Sequence, residues 1–550
     1  MARKKALLSA AVLTVAVGMV AGTTAAEAGG GKKGDTLRIS ALSPFDYIDP
    51  ALTYFQLGCT TEYVTCVKLV NYPDTGGAKI VSTLVPDGAA ALPVISKDGK
   101  TYNFTIRKGF KFSPPSNQAL TAKNFKFIIE RLADPNMNSP AGPFLSNIVG
   151  AQDKLDGKAS AVSGVTAKGN KLSIKLLKPD ASFLAQLAMP FFCSLPTNTP
   201  NDPKGVTTPA AAGPYYVKEF KAGESGSIVL VKNPNYKGSR PQNWNKIQFK
   251  FGVSDEAKLL QVKSNQADYA IDGVPASEYQ GLWATSGPTS KAGKSGKQSF
   301  FVNKEIGTSY LALNNDRPLI KGNANLRKAI NFAIDRPNLI RQGGAYSGSA
   351  TDQILPPGMA GYKDINAYPT KGPDLNKAKA LVPNLNASAV LYASTSSITG
   401  ARAQVIQADL KKIGLNVEIK QFARGVQITK EGTRGEPFDI TMEGWIADYN
   451  DPFDFINVLL DGDNLQEANN NNVAYFNDPG YNAKMDAAAA KVGAARTAAY
   501  EKLDNELTTK AVPWAPWQNF NNREVFSPRI GCHSYIPAYG TMNLAALCVR

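Results

Sequence analysis

Residues 438–455 read Phe-Asp-Ile-Thr-Met-Glu-Gly-Trp-Ile-Ala-Asp-Tyr-Asn-Asp-Pro-Phe-Asp-Phe. The first five alternate apolar and polar side chains with period two, which predicts a short strand over 438–442. Asp451-Pro452 predicts a helix start, with aspartate as the cap and proline in the first helical position. Between strand and helix lies a turn dense in carboxylates and aromatics. Neither element uses Asp448, which makes it a candidate ligand group; a turn aspartate bonded to its own backbone is the plainer alternative. Trp445, three residues before it, is either core or an aromatic wall for the same ligand.

Outward from this turn the pattern is α/β. Residues 401–413 predict an amphipathic helix stopped by Gly414, and 415–421 a strand directly after it. Before them, 310–315 predict a strand. Asn325 is expected to cap a helix whose Leu326, Ala329, Ile330, Ala333 and Ile334 share one face. Helices over 481–492 and 497–511 and a strand over 514–526 follow. In the first half, strands are expected over 36–40, 102–106, 171–177 and 227–231, a largely helical segment around Cys59 and Cys66, and a helix over 122–132 capped by Thr121.

Glu443-Gly-Trp-Ile-Ala-Asp-Tyr-Asn-Asp-Pro452 resembles the GW-x-x-DY-N-[DE]-P signature of the family 5 solute-binding proteins of ABC importers, the oligopeptide, dipeptide and nickel-binding group. Further blocks resemble that family in its own order: Tyr102-Asn-Phe-Thr-Ile-Arg-Lys-Gly109 with Leu120-Thr-Ala-Lys-Asn-Phe125, Gly213-Pro-Tyr-Tyr216, Val231-Lys-Asn-Pro-Asn-Tyr236, and Leu313-Asn-Asn315 with Leu326-Arg-Lys-Ala-Ile-Asn-Phe-Ala-Ile-Asp-Arg336. Each is loose alone, and together they cover most of the chain.

The resemblance implies an α/β fold: a two-lobed periplasmic-binding-protein-like clamp of the class II, cluster C type with an extra subdomain in the first lobe. On it, 36–74, 205–305 and 516–550 would form the core of lobe I, 75–204 its extra subdomain and 306–515 lobe II. The implied function is capture of a small solute, an oligopeptide first, by a monomer that delivers it to an ABC permease and its ATPase. Asp448 would take the ligand's α-ammonium group. Trp445, Glu443, Met442 and Tyr449 on the motif, and Tyr54, Phe55 and Gln56 on the first lobe, complete the candidate set. At Met442-Glu443 one relative has a basic residue for the peptide carboxylate, so an acidic cleft suited to a cationic or amino-terminal ligand is expected. An oligosaccharide, a cationic metabolite or a metal chelate is the alternative solute; a secreted cell-wall enzyme or an adhesin is the alternative class.

The rest of the chain bounds these readings. Arg3-Lys4-Lys5, an apolar run over 6–21 and Ala26-Glu27-Ala28 read as a secretory signal peptide over 1–28, followed by a linker over 29–35. No cysteine precedes Cys59, so a lipobox is absent and an exported protein is expected, periplasmic or extracellular. Five cysteines in an exported chain imply disulfides. Cys59 with Cys66 and Cys532 with Cys548 are the favoured local pairs, with Cys193 a buried thiol; Cys193 with Cys532 or Cys548 is equally allowed. The charge of +16 is spread along the chain, and its densest patch, Lys291, Lys294, Lys297 and Lys304, reads as a solvated loop, so nucleic acid is not an expected partner. His533 is the single histidine, which leaves no multi-histidine metal site and disfavours bare nickel. Gly29-Gly-Gly-Lys-Lys-Gly34 follows no strand and is no phosphate loop. Asp448, Asp451, Asp454, Asp461 and Asp463 do not fit a calcium loop. No cofactor is expected.

Overall fold

The strand Trp514–Phe526 carries the architecture, because two different sets of strands pair with its two halves. Its first half lies antiparallel to Gly307–Leu313, and its second half to Phe300–Lys304 and Tyr269–Ala270. The computed structural model describes residues 31–73 and 83–550. The expected signal peptide falls outside these residues. A strand, Gly34–Ser40, begins inside the stretch expected as linker.

Through this shared strand one sheet of twelve strands runs across both lobes. On the first side Gly34–Ser40, Trp244–Lys250, Ser227–Lys232 and Tyr215–Lys221 follow. On the second side come Gly307–Leu313, Ile440–Ile446, Ala387–Ser394 and Leu415–Phe422. The last two are parallel and joined by helix Ser397–Lys411, the crossover that a parallel pair requires. Gly414 closes that helix at φ +89°, where a Cβ would strike the Leu385 carbonyl oxygen at 1.9 Å. Pro516 is accommodated beside a register shift in the pairing with Gly307–Leu313, the kind of position at which proline is tolerated in a sheet.

Alternation along Gly307–Leu313 divides the second lobe into two cores. Leu311 and Leu313 join Ile330, Leu391, Ile440 and Met442 on one face, while Tyr310 and Ala312 join Phe455, Leu459 and Trp514 on the other. The first lobe shares one continuous core with the segment expected as its extra subdomain, from Leu37 and Phe249 to Phe125 and Leu172. In that segment a four-stranded sheet is covered by helix Ala122–Leu132, which starts at a capping box between Thr121 and Asn124. The helix is fastened to lobe I by Arg131, whose two terminal nitrogens each lie 2.6 Å from an oxygen of Asp49, both side chains fully buried.

Three expectations are corrected. The helix expected to start at Asn325 is Ala324–Ala333, capped by Asn323, whose side chain accepts from Leu326 N at 3.0 Å. The motif strand runs over Ile440–Ile446, so it begins later and continues through Trp445. The pairing of Cys59 with Cys66 does not form: the bridges are Cys66–Cys193 and Cys532–Cys548, and Cys59 is free. Cys59 lies inside helix Gln56–Thr65 and Cys66 at its end, two turns apart. That is roughly 10 Å of rise, beyond the span a disulfide bridges.

Removing one partner of the buried Arg131–Asp49 pair leaves an uncompensated charge. Asp49→Ala is expected to cost about 3–5 kcal/mol of stability, measured by urea denaturation.

Candidate functional site

The site strand Ile440–Ile446 ends where its ladder does. Ala447 N still bonds Ile306 O at 2.8 Å, but the next amide, Asp448 N, turns to the carboxylate of Asp454 at 3.0 Å. Asp451 accepts from Phe453 N at 2.9 Å and starts helix Phe453–Leu460, which places Asp454 in its first turn. Asp454 Oδ2 also accepts the indole N–H of Trp445 at 3.1 Å, so one buried carboxylate fixes both the ring of Trp445 and the peptide that presents Asp448.

The opposing wall comes from lobe I. Asp46 Oδ2 accepts from the amides of Tyr54 (2.6 Å) and Phe55 (3.0 Å), fixing the entry to helix Gln56–Thr65. This directs Tyr54 inward, and its hydroxyl donates to Asp448 Oδ2 at 2.8 Å. Gln56 Nε2 donates to Glu305 Oε1 (2.9 Å), between strands Phe300–Lys304 and Gly307–Leu313, and to Gly540 O (2.7 Å). Met189, Pro190 and Phe191 form the adjoining face. Their turn is joined to the end of helix Gln56–Thr65 by the Cys66–Cys193 bridge. Tyr539 completes the wall, its hydroxyl 2.7 Å from Ala188 O.

Together these residues line a cleft of about 180 Å³. Asp448, Trp445, Tyr54 and Gln56 of the candidate set line it. The others lie elsewhere. Met442 packs in a core of the second lobe, and Phe55 is 59% exposed at the start of its helix. Tyr449 crosses to the first lobe and is buried there beside Phe144, ring centroids 6.4 Å apart. Glu443 is held in a bidentate pair with Arg424, one arm 2.8 Å, so the acidity expected there is already balanced. Residues that sequence reading did not select, Thr53, Cys59, Met189, Pro190, Phe191, Ala538 and Tyr539, also line the cleft.

Electrostatically the cleft is an enclosed acid. Burial pushes the Asp448 carboxyl up to about 7, the Tyr54 hydrogen bond pulling only partly the other way. Asp454 is pushed well above the carboxylate range, first by burial and then by Asp448. The Cys59 thiol is raised by burial and by Asp448, Asp46 and Glu62, so it stays protonated. Asp448 Oδ1 has no hydrogen-bond partner among the described residues and remains accessible from the cleft. The arrangement suits a cation that donates hydrogen bonds, held between aromatic rings.

A raised carboxyl pKa means that folding costs more as pH climbs from about 4 to about 7, since the folded state holds a proton the unfolded chain has lost. Without ligand, Asp448→Asn is expected to be more stable than the parent at pH 8 by on the order of 1–2 kcal/mol. The difference should vanish near pH 4 in thermal melts.

Known proteins resemble this chain in sequence and in fold. The sequence pattern of the bacterial extracellular solute-binding proteins, family 5 Middle, matches residues 83–467. The oligopeptide-binding protein OppA of Bacillus subtilis is 29% identical over 424 residues, 73% of this chain and 72% of its own. The probable D,D-dipeptide-binding periplasmic protein DdpA of Escherichia coli is 27% identical over 446 residues, 78% of each chain. Among solved structures, the clavulanic acid biosynthesis oligopeptide binding protein 2 superposes with a TM-score of 0.84 at 19% identity, covering 94% of this chain and 96% of its own. These are likenesses in sequence and in fold.

Proposed function

Because the chain belongs to the family 5 bacterial extracellular solute-binding proteins, we propose that it binds short peptides by their amino terminus, with Asp448 as the ammonium acceptor. It is the solute-binding component of an ABC importer, closing two lobes on a small solute and handing it to the permease and its ATPase. One observation carries the peptide reading: Asp448 projects an accessible oxygen into an aromatic cleft from the second lobe, while Tyr54 of the first lobe holds its other oxygen. A charge-assisted hydrogen bond to that oxygen is worth about 1.5–3 kcal/mol. Relatives named for oligopeptides and dipeptides support the same ligand class.

The function requires binding and release, and we assign the chain no catalytic step. Asp454 accepts the Asp448 backbone amide and the Trp445 indole N–H, and so holds the ligand floor in place. We place the protein outside the cytoplasm as a monomer, exported by the leader over 1–28. No helix among the described residues is long and apolar enough to cross a membrane.

Mass spectrometry of the small molecules released on denaturing protein purified from its own host should give short peptides; an oligosaccharide or a metal chelate would overturn the reading. Asp448→Asn should weaken binding of those peptides about 10- to 100-fold, measured by titration calorimetry, with the fold intact. The pH dependence follows from two titrations. Asp448 must ionise, above about 7 in the ligand-free cleft, and an α-amino group must stay protonated, below about 8. Affinity should therefore peak between these values and fall by up to about tenfold per pH unit on the acid side.

A further inference from the structure

Resting on the peptide reading above, we propose that the cleft selects peptides whose first side chain is aliphatic or aromatic, and that Met189, Pro190 and Phe191 are the selecting wall. Four side-chain hydrogen-bond donors around Asp448 are already committed to protein partners. The Trp445 indole N–H goes to Asp454, the Thr53 hydroxyl to Asp46, the Gln56 amide N–H groups to Glu305 and Gly540, and the Tyr539 hydroxyl lies against Ala188 O. The surface left to line the cleft is mostly apolar.

Among the described residues lining the cleft, Asp448 is the single carboxylate, and none is lysine, arginine or histidine. Lys68 places its ammonium 4.7 Å from the Tyr539 ring centroid and does not line the cleft. A ligand ammonium on Asp448 uses the one charge available. The carbon bearing that ammonium also bears the first side chain, which must then lie beside Tyr54, whose ring is 5.3 Å from that of Phe191. An aliphatic or aromatic group there buries apolar surface against Met189, Pro190 and Phe191. A carboxylate would meet no cation and would face Asp448, and a second ammonium would have no acid left. The wall is not free to withdraw: Phe191 packs on Phe144 behind it, and the Cys66–Cys193 bridge ties its turn to the helix that follows Tyr54.

The test is titration calorimetry of the ligand-stripped protein with Gly-Gly-Gly, Leu-Gly-Gly, Phe-Gly-Gly, Lys-Gly-Gly and Asp-Gly-Gly. Leu-first and Phe-first peptides should bind at least about tenfold tighter than Gly-first, and Asp-first at least about a hundredfold weaker than Leu-first. Lys-first should also fall below Leu-first. Equal affinities across the series would overturn the selectivity and leave the peptide reading intact, whereas no binding by any member would overturn both. Met189→Lys, accepted once its far-ultraviolet spectrum and melt match the parent, should shift the Asp-first to Leu-first ratio by about tenfold or more toward Asp. An unchanged ratio would remove the wall from the explanation. Should that variant misfold, Met189→Ala should reduce the preference for Leu over Gly, and an undiminished preference would count equally against the wall.

Discussion

Two lobes that share one strand must hinge where that strand changes partners. Trp514–Phe526 pairs with the second lobe through its first half and with the first lobe through its second, and the other connection, Glu305-Ile306, runs alongside at the same level. The crossing is tight. Glu305 N bonds Phe520 O at 3.2 Å, and at Gly307 a Cβ would stand 2.4 Å from the Phe520 ring and 2.9 Å from the Trp445 carbonyl oxygen. Bending is thereby confined to a few backbone positions, the usual basis of hinge closure. The cleft lies beside this crossing, and Gln56 joins the two directly through its bond to Glu305.

The hinge brings together groups that oppose one another without a ligand. Tyr54 and Asp448 belong to different lobes, and their hydrogen bond holds the cleft shut; Tyr449 docking beside Phe144 and the Lys178–Asp486 pair at 2.9 Å act in the same direction. Burial in the cleft raises both carboxyl groups, and the neighbouring Asp448 raises Asp454 further. Shape therefore favours the closed state and charge disfavours it. On the reading proposed above, the cationic end of a ligand removes the second term, and the rest of the ligand must reach the opposing wall for binding to shift the population of the lobes.

The sequence disclosed this arrangement unevenly, for physical reasons. Trp445, Asp448 and Asp454 lie within ten residues of one another, so a local motif exposed the ligand floor. The helix Ala122–Leu132 was legible because period and cap agreed. The opposite wall draws on residues near 54, 190 and 539, which only tertiary packing unites. Its one covalent trace, Cys66–Cys193, was obscured by the nearer Cys59: the local pairing was favoured although a helical segment was expected to carry both, and a helix holds them about two turns apart. Extending the motif strand to Ile446 also changes its neighbourhood: Met442 stays in the core of the second lobe, and Glu443, opposite Tyr310, meets Arg424 from a separate helix. The acid counted there from sequence is neutralised by a partner nineteen residues away.

Affinity and closure are separate quantities in such a device. A ligand group that touches one lobe contributes equally to open and closed states and shifts nothing, however tightly it holds. Only contacts that span the cleft do so. Asp448 and Trp445 face from one side, and Tyr54, Phe191 and Tyr539 from the other. A ligand must fill the gap between the carboxylate and the aromatic wall to engage both sets. Ammonium alone is too small for that, and a side chain alone leaves the carboxylate unbalanced. On the proposed reading, the minimal ligand that closes the clamp combines a cationic donor with an adjacent apolar group, a pairing that a peptide amino terminus supplies within a single residue.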